Sequence, residues 1–170
     1  MKLNKLFLLG LALLSFKGVA AETEYVDLGL ASGTLWASSN VGATAPEEAG
    51  TYYAWGEWNK DLKVPSKEEL NELIFGCEWS IEQVNGKNAV CAKSLKNGNK
   101  IYFPFSGYKK GEVKNAEYLA NIWSCTENDA QNACFLYFYN AETLPASDAA
   151  IYGSSAKTKG RNVRTVKSSK

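Results

Sequence analysis

One stretch of the chain reads as a helix, and it stands alone. In "VPSKEELNELIF" Ser66 is a good N-cap, Glu69 follows three residues on as its capping-box partner, and Leu70, Leu73 and Ile74 recur at helical spacing. Gly76 is the expected stop. The rest alternates with a period of two or breaks at turn residues. "EYVDLGL" and "GTLWASS" are short strands around a Gly-Ser turn. "EWSIEQ", the turn "NGK" and "NAVCAKS" read as a hairpin. "NGN" then leads into "KIYFPF", where Ile101, Phe103 and Phe105 share a face and Pro104 marks an edge or a strand end. "NIWSCT" and "ACFLYFYN" are two more strands, and "RNVRTV" closes the chain. A single helix among about eight short strands specifies an α+β domain.

The first 21 residues have the pattern of an export signal. Lys2 and Lys5 precede the apolar run "LFLLGLALLSF", and the small residues "GVAA" place the expected cleavage near Ala21. Eleven apolar residues are too few to span a hydrocarbon core of ~30 Å, so no membrane span is expected after cleavage. The first cysteine is Cys77, far from the cleavage site, so the expected product is not a lipoprotein. Residues 22–170 are the length of one domain. Without Lys2, Lys5 and Lys17, sixteen basic residues face eighteen acidic ones, a net charge of −2. That balance argues against nucleic acid, which rewards a basic stripe.

The chain contains no histidine. Histidine-containing zinc sites, Ser-His-Asp and Cys-His catalysis and ordinary imidazole acid/base chemistry are thereby excluded. Four cysteines in an exported chain read first as two disulfides with three pairings open. Alternation on "CFLYFYN" puts Cys134, Leu136 and Phe138 on one face and Phe135, Tyr137 and Tyr139 on the other. Trp123 and Cys125 share a face on their strand, so a Cys125–Cys134 pair would set Trp123 opposite Leu136 and leave Cys77 to Cys91. The two crossed pairings remain open on the same residues. Each closed loop would contribute about 3 kcal/mol in the chain-entropy model.

"TYYAWGEW", residues 51–58, sets two Tyr and two Trp in eight positions. Burying one such ring of ~150–250 Å² is worth about 4–6 kcal/mol at ~25 cal/mol per Å². Four rings in water would forfeit most of a domain's net stability of about 5–15 kcal/mol. Tyr53 and Trp55 are therefore expected in the core, Gly56 in a turn, and Trp58 alone exposed.

"YVDLGLASGTLWASSNVGATAPEEAGTYYAWGEW" resembles the opening of the Fibrobacter succinogenes major paralogous domain, a family abundant in exported proteins of gut Bacteroidetes. "VPSKEELNELI", "NGNKIYFPFSGY", "IWSCTENDAQNACFLYFYN" and "GRNVRTVK" are similar to later motifs of that family, in the family's order. The resemblance implies a C-type-lectin-like fold, also that of formylglycine-generating enzymes: a small twisted antiparallel sheet with one or two helices and long loops. It implies a fold more firmly than a function, because one scaffold hosts unrelated sites. The chain departs from the family's pattern in "WSCT" and "ACFLYF", and these paired departures support a Cys125–Cys134 bridge.

Three sites follow from the residues and the resemblance. A cysteine-dependent oxidase of the formylglycine-generating type would use Cys125 and Cys134, but their spacing and surrounding motif differ from that enzyme's pair, so no catalytic residue is expected. Calcium-dependent sugar binding would use Glu127, Asn128, Asp129 and Asn132, oxygen ligands of the kind Ca²⁺ takes. Neither lectin signature, Glu-Pro-Asn or Trp-Asn-Asp, is present, so no cofactor or metal is assigned and Ca²⁺ stays an option. The third site is a binding face in the C-terminal third. It comprises Tyr137, Tyr139, Asn140, Asp148 and Tyr152, next to "NAETLPASDAAIYGSS", which shows no strand pattern. The expectation is an exported, non-catalytic module that binds a glycan or a cell-surface protein. A structural or adhesive surface component is the alternative.

Overall fold

The computed structural model describes residues 22–140 and 150–169. The expected export signal and Asp148 lie outside them. In chain order the elements are β1 (Tyr25–Asp27), β2 (Thr34–Ala37), β3 (Tyr52–Tyr53), α1 (Lys67–Gly76), β4 (Cys77–Val84), β5 (Lys87–Ser94), β6 (Lys100–Pro104), β7 (Tyr108–Lys110), β8 (Glu112–Lys114), β9 (Leu119–Glu127), β10 (Asn132–Tyr139), β11 (Ala150–Ala156), β12 (Arg161–Asn162) and β13 (Val166–Ser168). One helix among small, mostly antiparallel sheets is a sheet-rich α+β arrangement.

The helix starts where its caps dictate. Ser66 Oγ accepts from Glu69 N at 3.2 Å, and Glu69 Oε2 accepts from Ser66 N at 2.9 Å. Leu70 and Leu73 are fully buried, and Ile74 packs against the same core. The stop differs from the expectation. Gly76 does not take a left-handed turn; the chain passes straight into β4, with Cys77 already extended at φ −128°. The glycine leaves room for a neighbour: a Cβ there would lie 2.5 Å from Leu30 Cδ2, so the leucine side chain would have to move.

Five strands, in the order β11-β10-β9-β12-β3, form the central sheet, in which β12 runs parallel to β9 and the other pairs are antiparallel. Alternation along β10 sorts its side chains as expected. Leu136 and Phe138 face the main core, which α1 enters with Leu70 and Leu73. On the same side, the β4-β5-β6 sheet supplies Trp79, Val90 and Phe103, and the β1-β2-β13 sheet supplies Trp36 and Val166. Phe135 faces the other way, into a smaller cluster with Trp123, Val64, Ala133 and Val163. The β4–β5 hairpin turns on Asn85 and Gly86, with φ of 49° and 80°, the two left-handed residues of a type I′ turn.

"TYYAWGEW" packs on that smaller cluster. Trp123 Nε1 donates to Tyr53 O at 2.9 Å, and Trp55 Nε1 donates to Ser124 O at 2.8 Å. Gly56 sits at φ 82°, as a turn requires. The three rings depart from the expectation alike: Tyr53 and Trp55 are half-buried against the cluster instead of enclosed in it, and Trp58 is half-buried instead of exposed, set edge-on against Trp55 with ring centroids 6.1 Å apart.

The disulfide expectation is overturned, since all four cysteines are free. Cys77 stands opposite Ser94 and Cys91 opposite Ser80, an odd offset that sends the two side chains to opposite faces of the hairpin. In the other pair the β9–β10 register shifts between Ala133 and Phe135. Trp123 consequently faces Phe135 instead of Leu136, Cys125 is exposed, and buried Cys134 meets Tyr152 Oη at 2.6 Å.

"AIYGSSA" is likewise a strand where none was expected, pairing with β10 from Asn132↔Ala156 to Phe138↔Ala150. Its small residues hide the pattern for a packing reason: a Cβ on Gly153 would come 2.8 Å from Tyr137 Cε1 and 3.3 Å from Phe135 Cε1. The rings of Tyr137 and Phe135 occupy the space that a side chain at position 153 would need.

Candidate functional site

The structure divides the expected binding face. Tyr137 and Tyr139 lie on the sheet face away from α1. Tyr137 stacks on Phe135 at 5.1 Å, and Tyr139 meets Tyr137 edge-on at 5.5 Å. Tyr137 is thus engaged in packing, while Tyr139 presents its ring to solvent. Tyr152 is opposite Leu136 and therefore on the helix side, where Lys67 Nζ sits 4.8 Å from its ring centroid. Burial, with the Cys134 contact second, pushes its hydroxyl up to about 12. It cannot join Tyr137 and Tyr139 in one surface.

Asn140 leads to the cleft. Just past the end of β10 it donates from N to Tyr118 O at 2.8 Å and from Nδ2 to Glu117 O at 3.2 Å. It helps to line a cleft of about 680 Å³, within the usual range for small-ligand sites. One wall is the β4–β5 turn, with Gln83, Lys87 and Asn88; the other is the segment 116–118, ending in the exposed ring of Tyr118. Tyr52, Phe105 and Ser106 line its base, with Tyr52 Oη donating to Ser106 O at 2.5 Å. Glu47 closes one side and ties it to the turn, Oε1 accepting from Asn85 Nδ2 at 2.9 Å. Aromatic rings, amides, carboxylates and one lysine therefore meet in a single concavity.

The rim of this cleft has an unusual backbone. Among the described residues, Asn85, Asn115 and Glu117 are the non-glycine positions with positive φ; Glu117 lines the cleft, and Asn85 and Asn115 directly precede its lining residues Gly86 and Ala116 in the chain. Asparagine tolerates that conformation; glutamate does not, and the 69° of Glu117 has to be enforced by its surroundings. Glu117 N donates to Phe105 O at 2.8 Å, and its carbonyl is the acceptor for Asn140.

Comparisons with protein families, with curated proteins and with solved structures gave no match.

The loop considered for calcium is closed on itself. Asp129 accepts from Gln131 N, Asn132 N and the side-chain amides of Asn132 and Asn128, all within 3.0 Å. The backbone N–H of Gln131 is the first cause that holds its carboxyl down at about 2. Glu127 is paired with Lys157. Among the described residues no group of three or more His, Cys, Asp or Glu side chains is placed to hold a metal ion.

Nor do the cysteines form a reactive pair. Burial, then Cys91, pushes Cys77 up to about 12; burial, then Glu82, pushes Cys91 up to about 11. Cys125 is also raised, by burial and then by Glu69. Among the described residues no helix is long and apolar enough to cross a membrane.

Sequence reasoning reached Asn140 and missed Glu47, Tyr52, Lys87, Asn88 and Tyr118. The turn "NGK" located one wall, but nothing in its pattern tells which distant segment faces it. Tyr118 carried a readable signal as an aromatic set in the polar run "KNAEY", and Tyr52 lay in the aromatic stretch "TYYAWGEW".

Proposed function

We propose that this chain is an exported, non-catalytic binding module with a C-type-lectin-like fold, akin to the Fibrobacter succinogenes major paralogous domains, and that it recognises a glycan at or outside the cell surface. The observation that carries this reading is the cleft between the β4–β5 turn and Tyr118. There exposed aromatic surface adjoins Asn88, Asn140 and Gln83, groups that both donate and accept hydrogen bonds. A sugar needs that combination, because its ring offers an apolar face and its hydroxyls offer both hydrogen-bonding roles. The absence of histidine, and the thiol of Cys125, pushed up by burial, support a binding role over a catalytic one. Screening the protein on a glycan array tests the reading: binding to defined glycans is expected, with loss of signal for Tyr118→Ala. No glycan binding at all would sink it.

A second reading, as an assembling or adhesive surface component, is favoured by one patch. Phe75 and Leu95 are 80% and 68% exposed beside the groove lined by Leu28, Leu30 and Ala31. Co-purification with surface proteins that is lost in Phe75→Ser would support that alternative.

A further inference from the structure

We infer that the cleft selects an uncharged saccharide without a metal ion, with Glu47 as the hydroxyl acceptor that anchors it and Tyr118 as the face on which the sugar ring lies. This rests on the glycan-binding reading above and specifies its ligand chemistry.

The first observation is an unfilled acceptor. Glu47 uses Oε1 for Asn85, whereas its Oε2 is buried and has no hydrogen-bonding partner. Such an oxygen carries a desolvation cost, and a hydroxyl donated from the cleft removes it only once the carboxylate turns to expose that oxygen. Vicinal hydroxyls suit the site because Asn88 and Asn140 can accept from or donate to the neighbouring position.

Charge narrows the ligand further. Glu47 and Glu117 outnumber Lys87 among the cleft's ionisable groups other than tyrosine, so an anionic sugar meets like charge. A cation would be drawn in by the same excess, but an ammonium only donates and cannot accept from the side-chain amides of Gln83, Asn88 and Asn140. Tyr118 is 64% exposed, and the residue before it is held at positive φ by Phe105 and Asn140. Backbone held out of its preferred region beside a concavity fits a preorganised platform, which lowers the ordering cost of binding.

The experiment uses the exported protein in EDTA. Titration is followed by calorimetry against neutral hexose oligomers, the same oligomers carrying uronic acids, and oligolysine. Neutral oligomers are expected to bind, uronate-bearing ones to bind at least tenfold more weakly, and oligolysine not at all. Glu47→Gln, which keeps an acceptor for Asn85, should weaken binding on the order of tenfold to a hundredfold with an unchanged melting temperature. Tyr118→Ala should lose measurable binding.

Sugar binding that is indifferent to Glu47→Gln and Tyr118→Ala, that requires calcium, or that prefers uronates would overturn this inference and leave the glycan-binding reading standing. Binding of oligolysine alone, or of nothing in the panel, would overturn both.

Discussion

Arg164 shows at the residue scale how this fold handles polarity. It is fully buried with no carboxylate beside it, its Nε and Nη2 both donating to Asn40 Oδ1 at 3.0 and 2.8 Å and Nη1 reaching Ala37 O and Ser38 O at 3.3 Å. Burial pushes its guanidinium down from its ordinary value, which makes each neutral acceptor matter. Asn40→Ala should therefore cost about 2–3 kcal/mol in denaturant unfolding, the value of hydrogen bonds to a charged group. A loss below about 0.5 kcal/mol would show that Asn40 is not what satisfies the arginine.

The cysteines give a second test at this scale. In denaturant without reductant a thiol reagent should count four, and in the native protein near pH 8 only Cys125 should react readily. Two or fewer in denaturant would restore the disulfides. No single-residue signal distinguished bonded from free thiols, because the deciding facts, an odd strand offset and a slipped register, belong to pairs of strands.

At the scale of elements, legibility followed how local each cause was. Helix α1 was readable because Ser66, Glu69, Leu70 and Leu73 act within three turns of chain. The hairpin on Asn85 and Gly86 was readable for the same reason. β11 was not, since its Gly153 answers to rings on the neighbouring strand. Gly153→Ala should consequently destabilise by about 1–3 kcal/mol through overpacking against Tyr137. Because Tyr139 leans on Tyr137, the same variant should also shift the Tyr139 ring resonances. An unperturbed Tyr139 would break that link.

The Asp129 loop supplies a pH test for the β9–β10 connection. Its carboxyl is held at about 2 from an ordinary 3.8, so the loop's contribution to stability is complete above the ordinary value and is lost as pH falls toward 2. An NMR titration should place its midpoint near 2; a midpoint near 4 would mean that the loop's hydrogen bonds do not form in solution.

Across the whole molecule, two clusters flank the β9–β10 pair, and the cleft opens where segments distant in the chain converge. Glu47 comes from a long connection, Lys87 and Asn88 from a hairpin, Tyr118 and Asn140 from the ends of adjacent central strands. This convergence explains why the sequence displayed an aromatic-rich C-terminal strand but not the site: each contributor looks ordinary in its own segment. It also explains how Tyr137, on alternation alone a candidate ligand contact, is a packing residue while Asn140 borders the cleft.

Amide NMR of the protein titrated with a neutral hexose oligomer tests the central claim most directly. Shifts concentrated on Lys87, Asn88, Tyr118 and Asn140, with Phe75, Leu95 and the Asp129 loop unmoved, are the predicted result. Shifts confined to Phe75 and Leu95 or to the Asp129 loop, or no shifts at any concentration, would contradict it.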